Sequence, residues 1–358
     1  MNSVDVEFFA KTVEDECYAQ VETLASCPAF SGSKIRIMPD CHAGKGCVIG
    51  FTADLGDKVI PNVVGVDLGC GLIVNKLSTP VTDFEEFDRV VRQVVPMGFS
   101  IHDKKVVNLS EFDFTCKDKL KNVDRLEMSL GTLGGGNHFI ELDVDEEKNQ
   151  YLVVHTGSRN LGLQICNIYQ NLAKCNCKDD VPSGLEYLEG TLKDDYVHDM
   201  RLAQRFATLN REQIVKSICS SIGLEVKDSW HTVHNYLGDD NIIRKGAISA
   251  KKGEKVIIPM NMRDGSIIAV GKGRSDWNNS APHGAGRLMS RKKAKSVLDV
   301  SAFRKDMEKS GIYSTSVCEG TLDESPEAYK PMDEVLSLVS DTVDIVKMIK
   351  PVYNAKAV

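Results

Sequence analysis

The stretch Val63-Val64-Gly65-Val66-Asp67-Leu68-Gly69-Cys70-Gly71 places an acid and a thiol among three glycines. Its apolar residues predict a buried strand over residues 59–66 that leads into Asp67. The glycines let the backbone come close to whatever Asp67 and Cys70 hold. Carboxylates and thiolates are both metal ligands, so the stretch indicates a metal site. The alternative is a buried strand and a glycine turn, with Cys70 as a small core residue.

The same arrangement, an apolar strand next to a loop with polar ligand-type residues, recurs along the chain. It is found at Asn137-His138, at His155, at His234-Asn235 and at His283. A lone histidine is more often a core or surface residue than a ligand. Because strand ends gathered at one side of a sheet are where binding sites form, the repetition predicts one shared site.

The ligand-type residues of these loops form a mixed set. They offer one oxygen, one sulfur and three nitrogens, from Asp67, Cys70, His138, His155 and His234. This is more than one tetrahedral ion uses, so the set suits two divalent ions that share a ligand. Zinc, cobalt and manganese all fit a bridging thiolate, and the residue types do not choose between them.

His283 has a different setting, since it follows Pro282 and precedes Gly284-Ala285-Gly286-Arg287. We expect a helix to begin in this segment, and a helix N-terminus favours phosphate oxygens. A neutral imidazole there could attack phosphorus, while Arg287 could hold the same phosphate. The alternatives for His283 are a further metal ligand or a simple capping residue.

Composition limits the class of protein. The chain has 358 residues, 42% of them apolar, and a formal net charge of -7. The acidic balance argues against a general nucleic-acid coating protein, which would be basic overall. A local basic groove stays open, and its weak candidates are Lys251, Lys252, Arg274, Arg291 and Lys293.

Two further features concern the cellular compartment. No run of apolar residues is long enough for a membrane span, and Met1 to Glu7 lacks the regions of a signal peptide. The 11 cysteines are then better read as free thiols or metal ligands than as disulfides. We therefore expect a cytoplasmic protein.

Periodicity predicts an α+β fold in one domain, residues 1–358, with mixed β-sheets flanked by helices and the site in loops at strand ends. Strands are expected at 34–38, 48–51, 151–154 and 267–270, among others. The main helices are expected at 4–26, 82–95, 196–222 and 331–348.

The motifs together resemble the RtcB family of RNA ligases, in order and over essentially the whole chain. The main ones are Asp67-Leu-Gly-Cys70-Gly, Gly134-Gly-Gly-Asn137-His138-Phe, His155-Thr-Gly-Ser-Arg159, His234-Asn235 and His283-Gly-Ala-Gly-Arg287. Three more fit the same family: Pro39-Asp40-Cys41-His42-Ala-Gly44, Glu327-Ala-Tyr-Lys330 and Lys350-Pro351. The segment Pro259–Ser266 and the C-terminal residues differ from the family's usual pattern.

This resemblance implies a reaction and its cofactors. The family joins an RNA 3'-phosphate or 2',3'-cyclic phosphate to a 5'-hydroxyl, using GTP and two Mn²⁺ ions. His283 matches the histidine that carries GMP as an intermediate. By motif, Asp67, Cys70, His155 and His234 would hold one ion, while Cys70 and His138 would hold the other.

The resemblance also implies which residues meet the nucleotide, the RNA end or both. They are Asn137, Asn235, His283, Gly284, Ala285, Gly286, Arg287 and Lys356. Among them, Lys356 resembles the C-terminal lysine that contacts guanine. The implied partner is RNA with broken ends, such as tRNA or rRNA, with room for an activating protein and with no DNA or membrane. The short chain favours RNA repair over tRNA splicing.

Two other classes of protein fit the same residues. A binuclear metal-dependent phosphoesterase acting on RNA ends would use the same ligands without needing His283. A non-catalytic RNA-end-binding protein would retain the site without turnover.

Overall fold

The computed structural model describes residues 3–11, 13–44 and 46–358. Lys45, which follows the motif beginning at Pro39, therefore lies outside the described residues, as do Met1, Asn2 and Thr12. Within the described chain, no helix combines the length and apolar character that a membrane crossing requires. The cysteines are free thiols, as expected.

The helices and strands confirm the mixed α and β fold. The α-helices are α1 (Asp15–Ala25), α2 (Pro61–Val64), α3 (Phe84–Val94), α4 (Val123–Glu127), α5 (Arg159–Asn176), α6 (Gly190–Ile222), α7 (Arg291–Val297), α8 (Val300–Lys309) and α9 (Met332–Val339). The strands are β1 (Asp5–Phe8), β2 (Lys34–His42), β3 (Ile49–Asp54), β4 (Lys58–Val59), β5 (Gly71–Leu77), β6 (Phe139–Val144), β7 (Gln150–Thr156), β8 (Leu188–Glu189), β9 (Val226–Val233), β10 (Asn235–Leu237), β11 (Ile242–Lys245), β12 (Ala247–Ser249), β13 (Lys255–Asn261), β14 (Gly265–Gly271), β15 (Ser280–Pro282) and β16 (Val343–Ala355).

The largest described sheet has seven strands in the order β13-β14-β16-β6-β7-β5-β9, and its neighbours are antiparallel. A second sheet has the order β1-β2-β3-β11-β10, while β12 pairs with β15 and β4 with β8. Most connections between neighbouring strands cross long stretches of sequence. The sheet order therefore depends on contacts that no local pattern contains.

Both faces of the seven-stranded sheet are buried. Along β5, Leu72 and Val74 lie in one apolar cluster and Ile73 lies in another. The cluster around Ile73 includes residues of α3 and α6, which cover that face. The cluster around Leu72 joins residues of β13, β14, β16, β6, β7 and β5, so the sheet curls around it. Strands buried on both faces explain the continuous apolar runs in the sequence.

Contacts between the two edge strands support this curvature. The backbone N–H of Ile257 in β13 donates to Thr232 Oγ1 in β9 at 3.1 Å. Close by, Lys255 Nζ lies 2.5 Å from Asp228 Oδ2. The edges of the sheet are thus joined through side chains. A separate core packs α1, α5 and α6 against β2 and β3.

The strand predicted over residues 59–66 is wrong. Only Lys58 and Val59 form a strand, and Pro61–Val64 is the short helix α2. Proline at a first helical position has a backbone angle suited to a helix, and Gly65, at φ 104°, then ends it. Asp67 and Cys70 therefore come from a turn that precedes β5.

Two predicted helices are also partly wrong. In the segment 4–26, Asp5–Phe8 is a strand that pairs in parallel with β2, and α1 starts only at Asp15. In the segment 331–348, α9 ends at Val339 and the long strand β16 begins at Val343. Because β16 lies between β14 and β6, sheet pairing outweighs the local periodicity.

Other predicted elements are confirmed. The helix expected at 82–95 is α3, and Asp83 caps it by accepting a hydrogen bond from the backbone N–H of Glu86 at 2.9 Å. The long helix expected at 196–222 is present as α6, which begins earlier, at Gly190.

Candidate active site

A pocket of about 300 Å³ lies where strands of the seven-stranded sheet begin and end. Every site residue predicted from the sequence lines this pocket except His138. His138 lies directly behind the lining, with its Nε2 atom 3.0 Å from Asp67 Oδ2. The structure thus brings the whole predicted set together.

Antiparallel pairing explains this convergence. At one end of such a sheet, the start of one strand lies beside the end of its neighbour. Gly71, at the start of β5, pairs with Thr156 at the end of β7 and with Val233 at the end of β9. Phe139, at the start of β6, pairs with His155 of β7. Residues just before β5 and β6 therefore meet residues at the ends of β7 and β9.

Helix α6 fixes two of these loops from behind. Arg211 is fully buried, and its Nη1 atom donates to the carbonyl oxygens of Gly69 at 2.8 Å and Thr156 at 2.9 Å. The loops also need glycine, since a Cβ atom on Gly157 would lie 2.1 Å from Asp67 Oδ1. Backbone and helix together leave little freedom for Asp67 and Cys70.

Two groups of ligand atoms share Cys70. One contains Cys70, His155 and His234, and the other contains Asp67, Cys70 and His138, each with its ligand atoms within 4.8 Å of one another. Cys70 Sγ lies 3.4 Å from His155 Nε2 and 3.5 Å from His138 Nε2. This arrangement differs from the motif-based expectation, which placed Asp67 with His155 and His234.

Carbonyl groups orient two of the imidazoles. His138 Nδ1 lies 2.9 Å from the carbonyl oxygen of Leu133, and His155 Nδ1 lies 3.1 Å from that of Asn137. A carbonyl can only accept, so Nδ1 carries the proton in both rings. In each ring, Nε2 is then the nitrogen that faces Cys70, as in histidines that bind a metal through Nε2.

The electrostatics of the cluster suit a cation. Burial lowers the pKa of His155 and His234 well below the usual value, so both rings are neutral at pH 7. Burial, with Asp67 nearby, raises the pKa of the Cys70 thiol. Burial alone would also raise the pKa of Asp67, but its bonds to His138 and Cys70 outweigh burial, so the Asp67 pKa is lowered. The cluster thus gathers neutral imidazoles, a carboxylate and a thiol, which are the donor types that divalent metal ions bind.

His283 lies next to this cluster and has an acidic partner. Its ring centroid is 5.0 Å from that of His234. Its Nδ1 atom lies 2.7 Å from Asp40 Oδ2, and Asp40 is buried. Because Nδ1–H donates a hydrogen bond to the carboxylate, a neutral ring in this position has its lone pair on Nε2.

The comparisons with known proteins identify the family. A family profile described as "tRNA-splicing ligase RtcB" matches residues 20–123 and 102–357. The chain belongs to the RtcB family. It is accordingly an RNA ligase of that family, and RNA is its implied substrate.

Relatives in the RtcB family match along nearly their whole length. The RNA-splicing ligase RtcB of Escherichia coli is 31% identical over an alignment of 402 positions, gaps included. That alignment covers 96% of this chain and 95% of that protein. The tRNA-splicing ligase RtcB of Nanoarchaeum equitans is 31% identical over 429 residues, covering 92% and 89%. That of Methanococcus maripaludis is 26% identical over 440 residues, covering 96% and 92%.

The helix expected to begin right after His283 in this RtcB-family chain is wrong. The next helix, α7, starts only at Arg291. Instead of a helix N-terminus, Asp40 Oδ2 accepts from the backbone N–H groups of His283 at 3.1 Å and Gly284 at 3.3 Å. Gly286 has φ 73°, and a Cβ atom there would lie 2.7 Å from the carbonyl oxygen of Asp40. This close approach of the loop to strand β2 prevents a helix.

Arg287 and Lys356 form one wall of the pocket with Glu324. Arg287 donates to the carbonyl oxygen of Asp323 at 2.6 Å and to the Tyr329 hydroxyl at 3.2 Å. Lys356, only 2% exposed, lies 3.0 Å from Glu324 Oε2. Burial of Glu324 is outweighed by Lys356 and Arg291, and its pKa is lowered. Glu324 therefore stays ionised and holds the side chains of Lys356 and Arg291 in place.

The two predicted asparagines have different environments. Asn137 is exposed at the pocket, and its carbonyl oxygen accepts from Lys356 Nζ at 3.3 Å. Asn235 Oδ1 accepts from the backbone N–H of Gly246 at 2.9 Å, which fixes its side chain. Of the two, Asn137 has the freer amide for contact with a ligand.

The basic groove suggested by the sequence is mostly neutralised. Arg291 lies 2.6 Å from Asp323 Oδ2, Arg274 pairs with Asp276, and Lys251 lies 3.6 Å from Asp240. Arg274 pairs with an acid two positions away, whereas the partner of Arg291 comes from a distant segment that no charge cluster in the sequence indicated.

Sequence reasoning missed several residues of the site. Asp40 and His42 were in a quoted motif but received no role, although both follow a clear strand pattern in β2. Burial lowers the pKa of His42 to about 4, so this pocket residue is neutral at pH 7. Glu141 and Glu324 also line the pocket. Of these residues, only Asp40 had a signal in the sequence that could have indicated a role: it precedes His42 by two positions, just after a predicted strand.

Glu141→Gln is expected to raise the free energy of unfolding more at about pH 8 than at about pH 5. Burial raises the pKa of Glu141 from 4.5 to about 7, although Asn354 and Lys356 act in the opposite direction. Between these values the unfolded carboxyl loses its proton while the folded one keeps it, so stability falls as pH rises through this window. The neutral amide removes that loss, worth on the order of 1–3 kcal/mol.

Urea denaturation of the metal-free protein at both pH values measures this difference. Glu147→Gln, a change at an exposed acid after β6, is the matched control. An equal change in stability at both pH values would contradict the expected role of Glu141.

Proposed function

We propose that this chain joins an RNA 3'-phosphate or 2',3'-cyclic phosphate to a 5'-hydroxyl, using GTP and Mn²⁺, through a guanylyl group carried on His283. The observation that carries the proposal is the contact of 2.7 Å between His283 Nδ1 and Asp40 Oδ2, beside the Cys70 cluster. A base held by an acid, with its other nitrogen free, is the arrangement of an activated nucleophile.

His283 performs the first step in this proposal. Its Nε2 lone pair forms a bond to the α-phosphorus of GTP, and the bond from that phosphorus to the β-phosphate oxygen breaks. Pyrophosphate leaves with the electron pair of the broken bond. Asp40 keeps the proton on Nδ1 and stabilises the positive charge that develops on the ring, as an acid does behind a catalytic histidine.

The cluster would hold the metal ions of the reaction. Cys70, His155 and His234 would bind one ion, and Asp67, Cys70 and His138 would bind the other, with the shared thiolate between them. Bound divalent ions neutralise phosphate charge and make phosphorus easier to attack. Sharing of Cys70 by both groups of ligand atoms supports this assignment.

The RNA enters in the later steps. An oxygen of the RNA 3'-phosphate attacks the phosphorus on His283, which frees Nε2 and leaves GMP on the RNA. The 5'-hydroxyl then attacks the activated RNA phosphate, forms the phosphodiester and expels GMP. A cyclic phosphate would first be opened by hydrolysis. Asn137, exposed at the pocket, is the residue we assign to the RNA end or the nucleotide phosphates.

Lys356 remains our assignment for guanine, since its ammonium group lies in the pocket wall. Arg287 and the loop Gly284–Gly286 would meet the phosphates beside His283. We also propose that residues 1–358 act as one ligase domain, which the spread of pocket residues from His42 to Lys356 supports. A cytoplasmic location and a role in RNA repair stay predictions.

The test is incubation with GTP labelled at the α-phosphate and Mn²⁺, followed by acid or alkali treatment of the protein. Label that is acid-labile and alkali-stable is the expected result, because a phosphorus–nitrogen bond to histidine breaks in acid. Protein that takes up no label with any nucleotide or divalent ion would overturn the proposal.

Asp40→Asn is expected to slow labelling of His283 by about 10²- to 10⁴-fold with the metal content unchanged. The amide keeps the size of the carboxyl but removes the charge that stabilises the ring as its bond to phosphorus forms. Single-turnover labelling measures the rate, and Asp228→Asn, at an exposed ion pair with Lys255, is the control. Labelling at the wild-type rate in the Asp40 variant would exclude Asp40 as the positioning residue.

A further inference from the structure

Phe99 is an exposed aromatic residue that the reaction described above does not use. Its side chain is 96% exposed, compared with 58% for Val297 and 56% for Val346. A single exposed apolar side chain needs no special explanation on a loose loop. What matters is therefore how firmly Phe99 is held and what lies beside it.

The backbone around Phe99 forms a fixed turn. Ser100 N–H donates to the carbonyl oxygen of Met97 at 3.1 Å, and Gly98, with φ 63°, takes the position that needs a left-handed backbone. Gly98 N–H donates to the carbonyl oxygen of Gly134 at 2.9 Å. The backbone that carries Phe99 is thus held in one conformation.

Two arginines hold the same turn. Arg159 Nη2 donates to the carbonyl oxygen of Gly98 at 3.2 Å, and Arg125 Nη2 donates to that of Phe99 at 2.6 Å. Arg125 is exposed, so its remaining N–H groups are open to solvent. The turn therefore offers an exposed apolar ring next to backbone atoms that two guanidinium groups hold.

The turn lies beside the proposed active site. It contacts Gly134, which leads through two more glycines to Asn137 and His138. A Cβ atom on Gly98 would lie 3.8 Å from the Cβ atom of Ala357, the residue after Lys356. Arg159 also acts electrostatically on Asp67. The turn that carries Phe99 is therefore next to residues assigned to the RNA end and to guanine.

We propose that Phe99 stacks on an unpaired nucleobase next to the RNA end that occupies the pocket. The inference rests on the proposed function, since it assumes an RNA end in that pocket. Single-stranded RNA is commonly recognised by aromatic rings that stack on bases, while nearby arginines contact phosphates. Each base has a flat face, so this contact orients the end without demanding one sequence.

The test uses two short oligoribonucleotides, one with a 3'-phosphate and one with a 5'-hydroxyl, each with 2-aminopurine as the base at that end. Stacking on wild-type protein quenches the fluorescence of the base at the end that meets Phe99. Phe99→Ala is expected to weaken binding of that oligonucleotide by roughly 5- to 100-fold, while Phe99→Tyr retains the ring and binds like wild type. Val346→Ala removes another exposed apolar side chain and is the control.

An abasic residue at the same end separates stacking from other effects. Wild type and Phe99→Ala should bind the abasic oligonucleotide equally. Equal binding of both base-containing oligonucleotides by wild type and Phe99→Ala, or no RNA binding by wild type, would overturn the inference. Labelling of His283 by GTP needs no RNA and should be unchanged in Phe99→Ala. Wild type that stacks the base but takes up no label would instead overturn the proposed function alone.

Discussion

His283→Ala is expected to abolish both labelling by GTP and RNA joining, by about 10⁴-fold or more, while two metal ions stay bound. The variant removes the nitrogen that attacks phosphorus, and the Asp40 carboxylate loses the ring that it positions. Metal binding should persist because His283 belongs to neither group of ligand atoms around Cys70. Labelling, ligation of a nicked RNA and metal content by mass spectrometry measure the three quantities.

His198→Ala is the matched control for this variant. His198 is exposed on α6, and its Nε2 atom lies 2.8 Å from the carbonyl oxygen of Asp113, outside the pocket. A His283→Ala protein that still processes RNA ends by hydrolysis would favour the binuclear phosphoesterase. Binding of RNA ends without turnover, in metal-loaded wild type, would favour the non-catalytic class of protein.

Cys70→Ala should lower the affinity for both metal ions by more than about 100-fold, because a shared ligand is lost from both groups at once. Loss of an outer partner of a metal ligand already costs up to about 100-fold in affinity, so loss of the bridging thiolate itself should exceed that. Activity should fall with the metal. Metal titration by calorimetry and the ion-to-protein ratio after dialysis measure the effect.

Two comparisons make this prediction specific. Cys166→Ala changes another fully buried free thiol, on α5, and should leave both ions bound. His234→Ala removes a ligand from only one group, so one ion should remain. If Cys70→Ala loses a single ion, the thiolate does not bridge, and the two ions are held by separate ligand sets.

Sequence patterns predicted the chemistry of the site better than its architecture. Asp67, Cys70, His138, His155 and His234 were recognisable because glycine-rich loops next to apolar strands are local features. The error over residues 59–66 did not change that result. A short helix and a strand end can both lead into a polar turn, and the turn rather than the preceding element carries Asp67 and Cys70.

Contacts between distant residues could not be predicted in this way. Asp40 and His283 are 243 positions apart, and only the meeting of β2 with the loop after β15 joins them. The strand β16 looked helical in part because its partners β14 and β6 lie far away in sequence. The same is true of Asp323 and Glu324, the acids that neutralise Arg291 from 32 and 33 positions away.

The sequence by itself determined which candidate ligand residues this protein has and, through its motifs, the family to which it belongs. Only the tertiary structure decided that Asp67 shares a group with Cys70 and His138, that Asp40 holds His283, and that the turn of Phe99 packs beside Gly134 and Ala357. The physical reason is that ligand chemistry belongs to single residues and short turns, whereas these pairings depend on sheet register and on loops packed against each other.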